Sequence, residues 1–374
     1  MPVSFTEKNR ESVLTTLKEL CLIPAPSHFE QKRAEYCKKW LEAAGAEGVY
    51  IDEALNVIFP IHCENSNEIT VFVAHTDTVF PDTEPMPYSD DGEKIHCPGV
   101  GDDTACLSVL LHTAKYFIEN KLVPQKGVMF VCNSCEEGLG NLKGTRQIFK
   151  DFEGRIGRFI SFDGYLDSVA DACAGSHRYE VEVTTEGGHS YGAFGNANAI
   201  HELSKIITEI YSIEVPQMEG ERTTYNVGGI SGGTSVNTIA QSAKMLCEYR
   251  SSHKDCLQYM QDKFEAIFEA ARSDKVQVYV TKIGDRPCSD IDDAKIEELR
   301  RIVAPILEDV TKKPAHFRSS STDCNIPLSL GISAICVGTC RGGGAHTREE
   351  WIEKESLAPG LTFAIRLAKA LLEV

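Results

Sequence analysis

Apolar positions along the chain switch between two periods. From Glu11 to Leu20 and from Glu30 to Gly45 they recur at helical spacing, with the breaker-rich run IPAPSHFE between them. Strand-like apolar runs follow at Val57 to His62 and at Ile69 to His75. Helical spacing returns over Thr104 to Glu119, Gly127 to Cys132 is another unbroken apolar run, and Arg158 to Phe162 is a further strand. Strands alternating with helices predict an α/β domain, a mostly parallel sheet flanked by helices, with its site at the carboxyl ends of the strands.

Near Ser176 the pattern changes. His177 to Thr185 alternates apolar and polar residues as an exposed edge strand does, Asn198 to Tyr211 is an amphipathic helix, and Thr224 to Gly229 and Ala243 to Arg250 are strands. A helix from Lys254 to Arg272 and a strand from Val276 to Ile283 complete the unit. The order β-α-β-β-α-β is that of a ferredoxin-like α+β fold. After Pro287 the helical segment Ala294 to Val303 and the strand Ser333 to Val337 return to the first pattern. The expected organisation is a discontinuous domain of residues 1–175 and 287–374, interrupted by an inserted domain of residues 176–286.

A chain of 374 residues is too long for one comfortable core, in keeping with two domains. Its 38 basic and 55 acidic residues give a net charge of −17, which opposes nucleic-acid binding and attachment to anionic membranes. The start MPVSFTEKNRESVLTTLKEL has no apolar run of signal-peptide type, and no later run approaches a membrane span, so a cytoplasmic protein is expected. That compartment makes the fourteen cysteines reduced core residues rather than disulfides. Cys132 and Cys135 form the sole C-x-x-C, with no second pair to complete a zinc ribbon.

Five separate stretches each place a metal-type ligand where the pattern ends a strand. They are VFVAHTDTVFP with His75 and Asp77, GVGDD with Asp102 and Asp103, CEEG with Glu136 and Glu137, SFDG with Asp163, and GGGAHTREEW with His346. Imidazoles mixed with carboxylates are a donor set that zinc, cobalt or manganese accepts. His75 and Asp77 are two apart, so on a strand their side chains point the same way. Glu136 and Glu137 are adjacent and cannot share one face of an extended chain, which suits two different tasks. Taken alone, G-x-G-D-D is also a turn followed by a helix N-cap.

These motifs, in this order and over nearly the whole length, resemble the M20 family of metallopeptidases, which includes aminotripeptidases, carboxypeptidases, dipeptidases and amino-acid deacylases. The resemblance implies two divalent ions per chain, zinc first, with cobalt or manganese possible. One ion would have His75, Asp102 and Asp163, and the other Asp102, Glu137 and His346, with Asp102 as the bridge. Asp77 resembles the carboxylate that orients His75, and Glu136 the general base that takes a proton from activated water. In this family the residue at Asp103 often follows the bridge through a strained peptide bond.

In the insert, His189 of EGGHSYGAFGNANAI resembles the family histidine that stabilises the oxyanion and that in dimers can enter the partner subunit's site. Asn237 and Arg250, thirteen positions apart, match residues that bind substrate carboxylate or carbonyl groups. The residue 319–325 and 340–346 loops look like substrate-facing loops. The resemblance makes residues 1–175 and 287–374 a di-metal catalytic domain and the insert a lid and dimerisation domain, with the strand His177 to Thr185 pairing with its twin in a homodimer.

The implied function is cleavage of an amide bond in a small peptide. The loops GGHSYG and GGGAHTREEW lean towards a peptidase-T-like branch. An N-acyl-amino-acid deacylase with the same mechanism is an alternative, and a catalytically silent binding protein of this fold is another. Retention of Glu136 beside all five ligands argues against silence.

Overall fold

The computed structural model describes residues 4–166 and 168–374. The chain divides into two units, Met1–Cys173 with Asp290–Val374, and Ala174–Ser289. The larger unit is built on an eight-stranded sheet. In chain order its strands are β1 (Tyr50–Ile51), β2 (Val57–Ile61), β3 (Ile69–His75), β4 (Gly127–Asn133), β5 (Ile156–Phe162) and β6 (Val169–Cys173) before the insert. The insert contributes β7 to β10, described below, and β11 (Phe317–Ser320) and β12 (Ser333–Val337) follow it. The spatial order is β1-β2-β4-β3-β5-β12-β6-β11. β3 pairs in parallel with β4 and β5, as do β5 with β12 and β6 with β11. The pairs β1–β2, β2–β4 and β6–β12 are antiparallel.

Every residue of β3 and β4 is buried, which is why both read as unbroken apolar runs rather than alternating ones. Period two sorts them between two cores. Phe72, Ala74, Phe130 and Cys132 join the cluster containing Leu17, Leu107, Leu110 and Phe363, while Val71, Val73, Met129 and Val131 join the one with Ile148, Phe159 and Leu328. Helices thus cover both faces. They include α1 (Phe5–Cys21), α2 (Gln31–Ala43), α3 (Ala105–Glu119) and α4 (Lys143–Asp151), and, after the insert's α5 and α6, α7 (Asp293–Thr311), α8 (Asn325–Ser329) and α9 (Leu357–Leu372).

α1 begins six residues before the helix read from the sequence. Ser4 and Glu7 form a capping box, the Glu7 N–H donating to Ser4 Oγ at 3.2 Å and the Ser4 N–H to Glu7 Oε2 at 3.0 Å. That local signal, rather than apolar spacing, sets the start. All fourteen cysteines are free and buried. No described helix is long and apolar enough to cross a membrane.

The second unit runs β7 (Gly175–Thr185), α5 (Ala199–Tyr211), β8 (Thr223–Gly232), β9 (Ser242–Ser251), α6 (Lys254–Ala270) and β10 (Val276–Arg286). Its antiparallel sheet has the order β8-β9-β7-β10, the ferredoxin-like arrangement. Asn198 caps α5 by accepting from the N–H groups of Ile200 and His201, and Leu203, Ile206 and Ile210 form its buried stripe. One expectation is overturned here: β7 is not an edge strand. It lies between β9 and β10, paired along both sides, and the edges are β8 and β10. Its alternation has another cause. Tyr179, Val181 and Val183 face the core while the residues between them face outward, so the pattern records one wet face of a central strand.

In the larger unit, His112 on α3 is fully buried, with its ring 4.9 Å from that of Trp40. Its Nδ1 lies 2.9 Å from the Ser108 carbonyl and its Nε2 3.1 Å from Ser12 Oγ, a set that suits a neutral ring donating from Nδ1. Burial pushes its pKa down from 6.5 to about 4. Between those values the unfolded chain binds the proton and the folded chain does not, so this contribution to stability is complete above 6.5 and is lost as pH falls towards 4. The stability difference between the natural protein and His112→Gln, measured by urea denaturation, should therefore shrink by about 3 kcal/mol from neutral pH to the acid end of that window. A pH-independent difference would show that the imidazole does not titrate there.

Candidate metal centre

Parallel strands deliver the site. His75 is the last residue of β3, Asp163 follows the end of β5, and Glu136 and Glu137 lie just beyond β4, so neighbouring strands present all four at their carboxyl ends. Asp102 and Asp103 lie in the turn that opens α3, and the peptide between them is cis. His346 comes from the loop between β12 and α9, at a φ of 64°.

Asp102 stands between two imidazoles. Its Oδ1 is 3.1 Å from His75 Nε2 and its Oδ2 is 3.0 Å from His346 Nε2. The structure brings together three groups whose donor atoms lie within 4.8 Å of one another: His75, Asp102 and Asp163; Asp102, Glu137 and His346; and His75, Glu136 and Glu137. The first two share Asp102, with one oxygen turned to each. His75, Glu136 and Glu137 are buried, whereas the His346 side chain is 57% exposed, so the cluster is open on the His346 side.

Burial and mutual charge strain this set. Burial pushes Glu137 up to about 7, and burial, with the charge of Asp102, raises Asp163 well above the carboxylate range. For Asp102 burial acts in the same direction but is outweighed by the bonds to His346 and His75, which hold its pKa low. The carboxylates of Asp102 and Glu137 raise His346 to about 10. Such a cluster attracts positive charge, and its nitrogen and oxygen donors fit divalent zinc, cobalt or manganese.

The ligand-bearing turns are held by further buried carboxylates. Asp77 accepts the Glu136 N–H on Oδ1 and the Glu137 N–H on Oδ2, each at 3.0 Å, and the Ser27 hydroxyl on Oδ2 at 2.6 Å. It also faces His75, whose Nδ1 is 3.1 Å from the Asp77 carbonyl and 3.4 Å from Oδ1. The His75 N–H donates to Asp103 Oδ2 at 3.0 Å. Glu350 accepts from Gly99, Gly101 and Asp102. The supporting roles of Glu350, Ser27 and Arg33, whose buried guanidinium donates to the Thr76 carbonyl at 2.9 Å, do not follow from the motifs. Only Glu350 had a visible cue, its place in GGGAHTREEW four residues after His346.

The insert's candidates fall into two places. His189 belongs to a short ribbon in which it lies opposite Thr238, next to Asn237. Its Nδ1 accepts the N–H groups of Tyr191 at 3.2 Å and Gly192 at 3.3 Å, which leaves the ring proton on Nε2. The Asn237 carbonyl accepts the Ser190 N–H at 3.0 Å and its Oδ1 accepts the Ser235 hydroxyl at 2.8 Å. Arg250 is elsewhere. It lies opposite Ser176 near the far end of β9 and forks onto Glu248 at 2.9 and 3.0 Å. Eight positions of extended strand separate it from Ser242, the end of β9 nearest the ribbon, roughly 27 Å at the usual rise. The structure therefore does not bring Asn237 and Arg250 together within one insert.

Carboxylates and imidazoles gathered at strand ends in this way are the donor set of metal-dependent hydrolases. The chain belongs to peptidase family M20/M25/M40, whose model matches residues 71–370. A curated relative, succinyl-diaminopimelate desuccinylase of Corynebacterium glutamicum, is 21% identical over 343 residues, covering 90% of each chain. Among solved structures, aminopeptidase PepT of Bacillus cereus superposes with a TM-score of 0.73 at 20% identity, covering 97% of this chain and 99% of that one. The YXEP protein of Bacillus subtilis, described as a dinuclear metal-binding peptidase of the M20 family, gives 0.67 at 15% identity, covering 98% and 99%.

The Asp77 clamp has a direct test. An asparagine has one oxygen for three donors, so in either orientation at least one of the Glu136 and Glu137 N–H groups faces an amide NH₂. Asp77→Asn should lower stability by about 1–3 kcal/mol in chemical denaturation. An unchanged midpoint would remove Asp77 as the support of that turn.

Proposed function

We propose that this hydrolase cleaves an amide bond of a small peptide at a centre of two divalent ions, zinc first, with cobalt or manganese able to substitute. The observation that carries the reading is Asp102, whose two oxygens each face the imidazole of a different ligand group. His75, Asp102 and Asp163 would hold one ion, and Asp102, Glu137 and His346 the other. Bound there, the ions would polarise the scissile carbonyl and make a water acidic enough to attack it. Asp77 keeps His75 oriented and fixes the backbone of the two glutamates. Glu136 takes the proton from the attacking water and returns it to the leaving amine. His189, with its proton on Nε2, donates to the oxyanion. Asn237 and Arg250 bind polar ends of the substrate.

The same water attack removes an acyl group from an amino acid, and the similarity to a desuccinylase favours that second reading. PepT as a structural neighbour favours an aminopeptidase. Reduced, buried thiols suit the cytoplasm.

In this reading the insert is lid and dimerisation domain, and the separation inside it supports a homodimer. About 27 Å of strand lie between Arg250 and the His189–Asn237 ribbon, so a ribbon supplied by the partner subunit is the simpler way to bring both to one small substrate. Tyr191 and Phe194 are 91% exposed and Val236 wholly so, all close in sequence to His189 or Asn237. β8, an edge strand, is also open to pairing with a second copy.

Chelation should abolish turnover of small peptides, and zinc, cobalt or manganese should restore it. Glu136→Gln should keep both ions by elemental analysis yet lose on the order of 10²–10⁴ in rate. Near-normal turnover in that variant, or full activity in metal-free protein, would sink the assignment.

Mixed dimers test the shared site. Glu136→Gln and His189→Ala homodimers should each be inactive, while a heterodimer of the two contains one site with both groups intact and should recover up to half the natural turnover per dimer, by the counting of intact sites. No recovery in heterodimers confirmed to form and to bind metal would return His189 to its own subunit or remove it from catalysis.

A further inference from the structure

Glu350 lies four residues beyond His346 and is completely buried. Both of its oxygens are engaged by the turn that carries Asp102. Oε2 accepts the Gly99 N–H at 2.7 Å, and Oε1 accepts those of Gly101 and Asp102 at 2.8 Å each. Its own carbonyl accepts the Cys97 N–H at 3.2 Å, and the strand that follows, Trp351–Glu353, pairs with Lys94–His96. No lysine or arginine is paired with it among the described residues. A carboxylate buried this way, with only N–H dipoles as partners, is costly unless all of those bonds are made.

The contact joins two ligand sources that are far apart in sequence. His346 and Glu350 share one loop, and the Asp102 turn hangs from Glu350 by three main-chain bonds. The orientation of the Asp102 carboxylate between His75 and His346 depends on that turn. We propose that Glu350 is a positioning residue for the metal centre, setting Asp102 in register with His346 so that each of its oxygens faces the imidazole of a different ligand group. This rests on the metal-centre reading above.

Glutamine is the informative substitution. It keeps the size but has a single acceptor, so its NH₂ must face either the Gly99 N–H or those of Gly101 and Asp102, and one side of the turn is released. Because Asp102 belongs to both ligand groups, both ions should weaken, whereas Glu137→Gln should weaken one. Equilibrium dialysis with cobalt, alongside the visible spectrum of the cobalt-loaded protein, reads this without turnover.

Glu350→Gln should lose about 10- to 100-fold in affinity for each ion and change the cobalt absorption bands. Glu350→Asp, which keeps two acceptor oxygens on a shorter stem, should fall between it and the natural protein. Circular dichroism and thermal melting establish which variants are folded; if the glutamine protein is not, the aspartate protein must show the same loss in smaller measure. Natural affinity for either ion in a folded variant would overturn the proposal. If the unsubstituted protein took up no cobalt, the metal centre itself would fall, and this role of Glu350 with it.

Discussion

The site depends on one recurring interaction, a buried carboxylate from one turn accepting main-chain N–H groups of another. Asp103 takes the N–H of His75, Asp77 those of Glu136 and Glu137, Glu350 those of Gly99, Gly101 and Asp102, and Glu30 that of Cys135. Each bond crosses between segments well apart in sequence. At Asp77, whose bonds outweigh burial and hold its pKa low, such a bond is charge-assisted and worth more than a neutral one, and in a dry interior none of these bonds has water to replace it. The ligand side chains are left for other work because their backbones are already held.

The sheet makes this possible. β3, β4 and β5 are parallel neighbours, so their carboxyl ends bring His75, Asn133 and Phe162 side by side, and the turns beyond them begin from fixed points. Two apolar cores grip these strands from opposite faces, which removes the freedom to slide by a residue and turn a ligand away. Arg33 adds a counter-charge behind the site. Its guanidinium is bonded to the carbonyls of Ile23 and Thr76, the latter between His75 and Asp77; burial lowers its pKa, and the charge of Asp77 is among those that act against that lowering.

Much of this was legible in the sequence where apolar runs stop abruptly at a polar residue, since a buried parallel strand ends where its site begins. His75, Glu136, Glu137 and Asp163 stand out for that reason, and the insert for its change of period. Support from distant loops leaves no such trace. Ser27 and Arg33 look like ordinary residues of a breaker-rich loop and a helix, and their partners at the site, Asp77 and Thr76, lie 50 and 43 positions away. β7 was misplaced because alternation records which faces are wet, not how many neighbours a strand has. The spacing of Asn237 and Arg250 along the chain likewise conceals that the antiparallel strand β9 carries them apart.

Burial also explains why such a site is stable as a whole but not in its parts. Glu137, Asp163, Asp103 and Glu350 are all raised in pKa, with burial the largest cause in each and the charge of neighbouring groups a further one, so each carboxylate is held where its ionised form is disfavoured. The main-chain clamps keep these groups close against their repulsion, and cations bound there would remove the repulsion itself. An ion held by such a set binds the folded chain far better than the unfolded one, where the ligands are scattered from His75 to His346, and by mass action it stabilises the fold. The interactions that position the ligands and those that would bind metal are therefore coupled through the same turns: the main chain that the clamps hold is the main chain that carries the donor atoms.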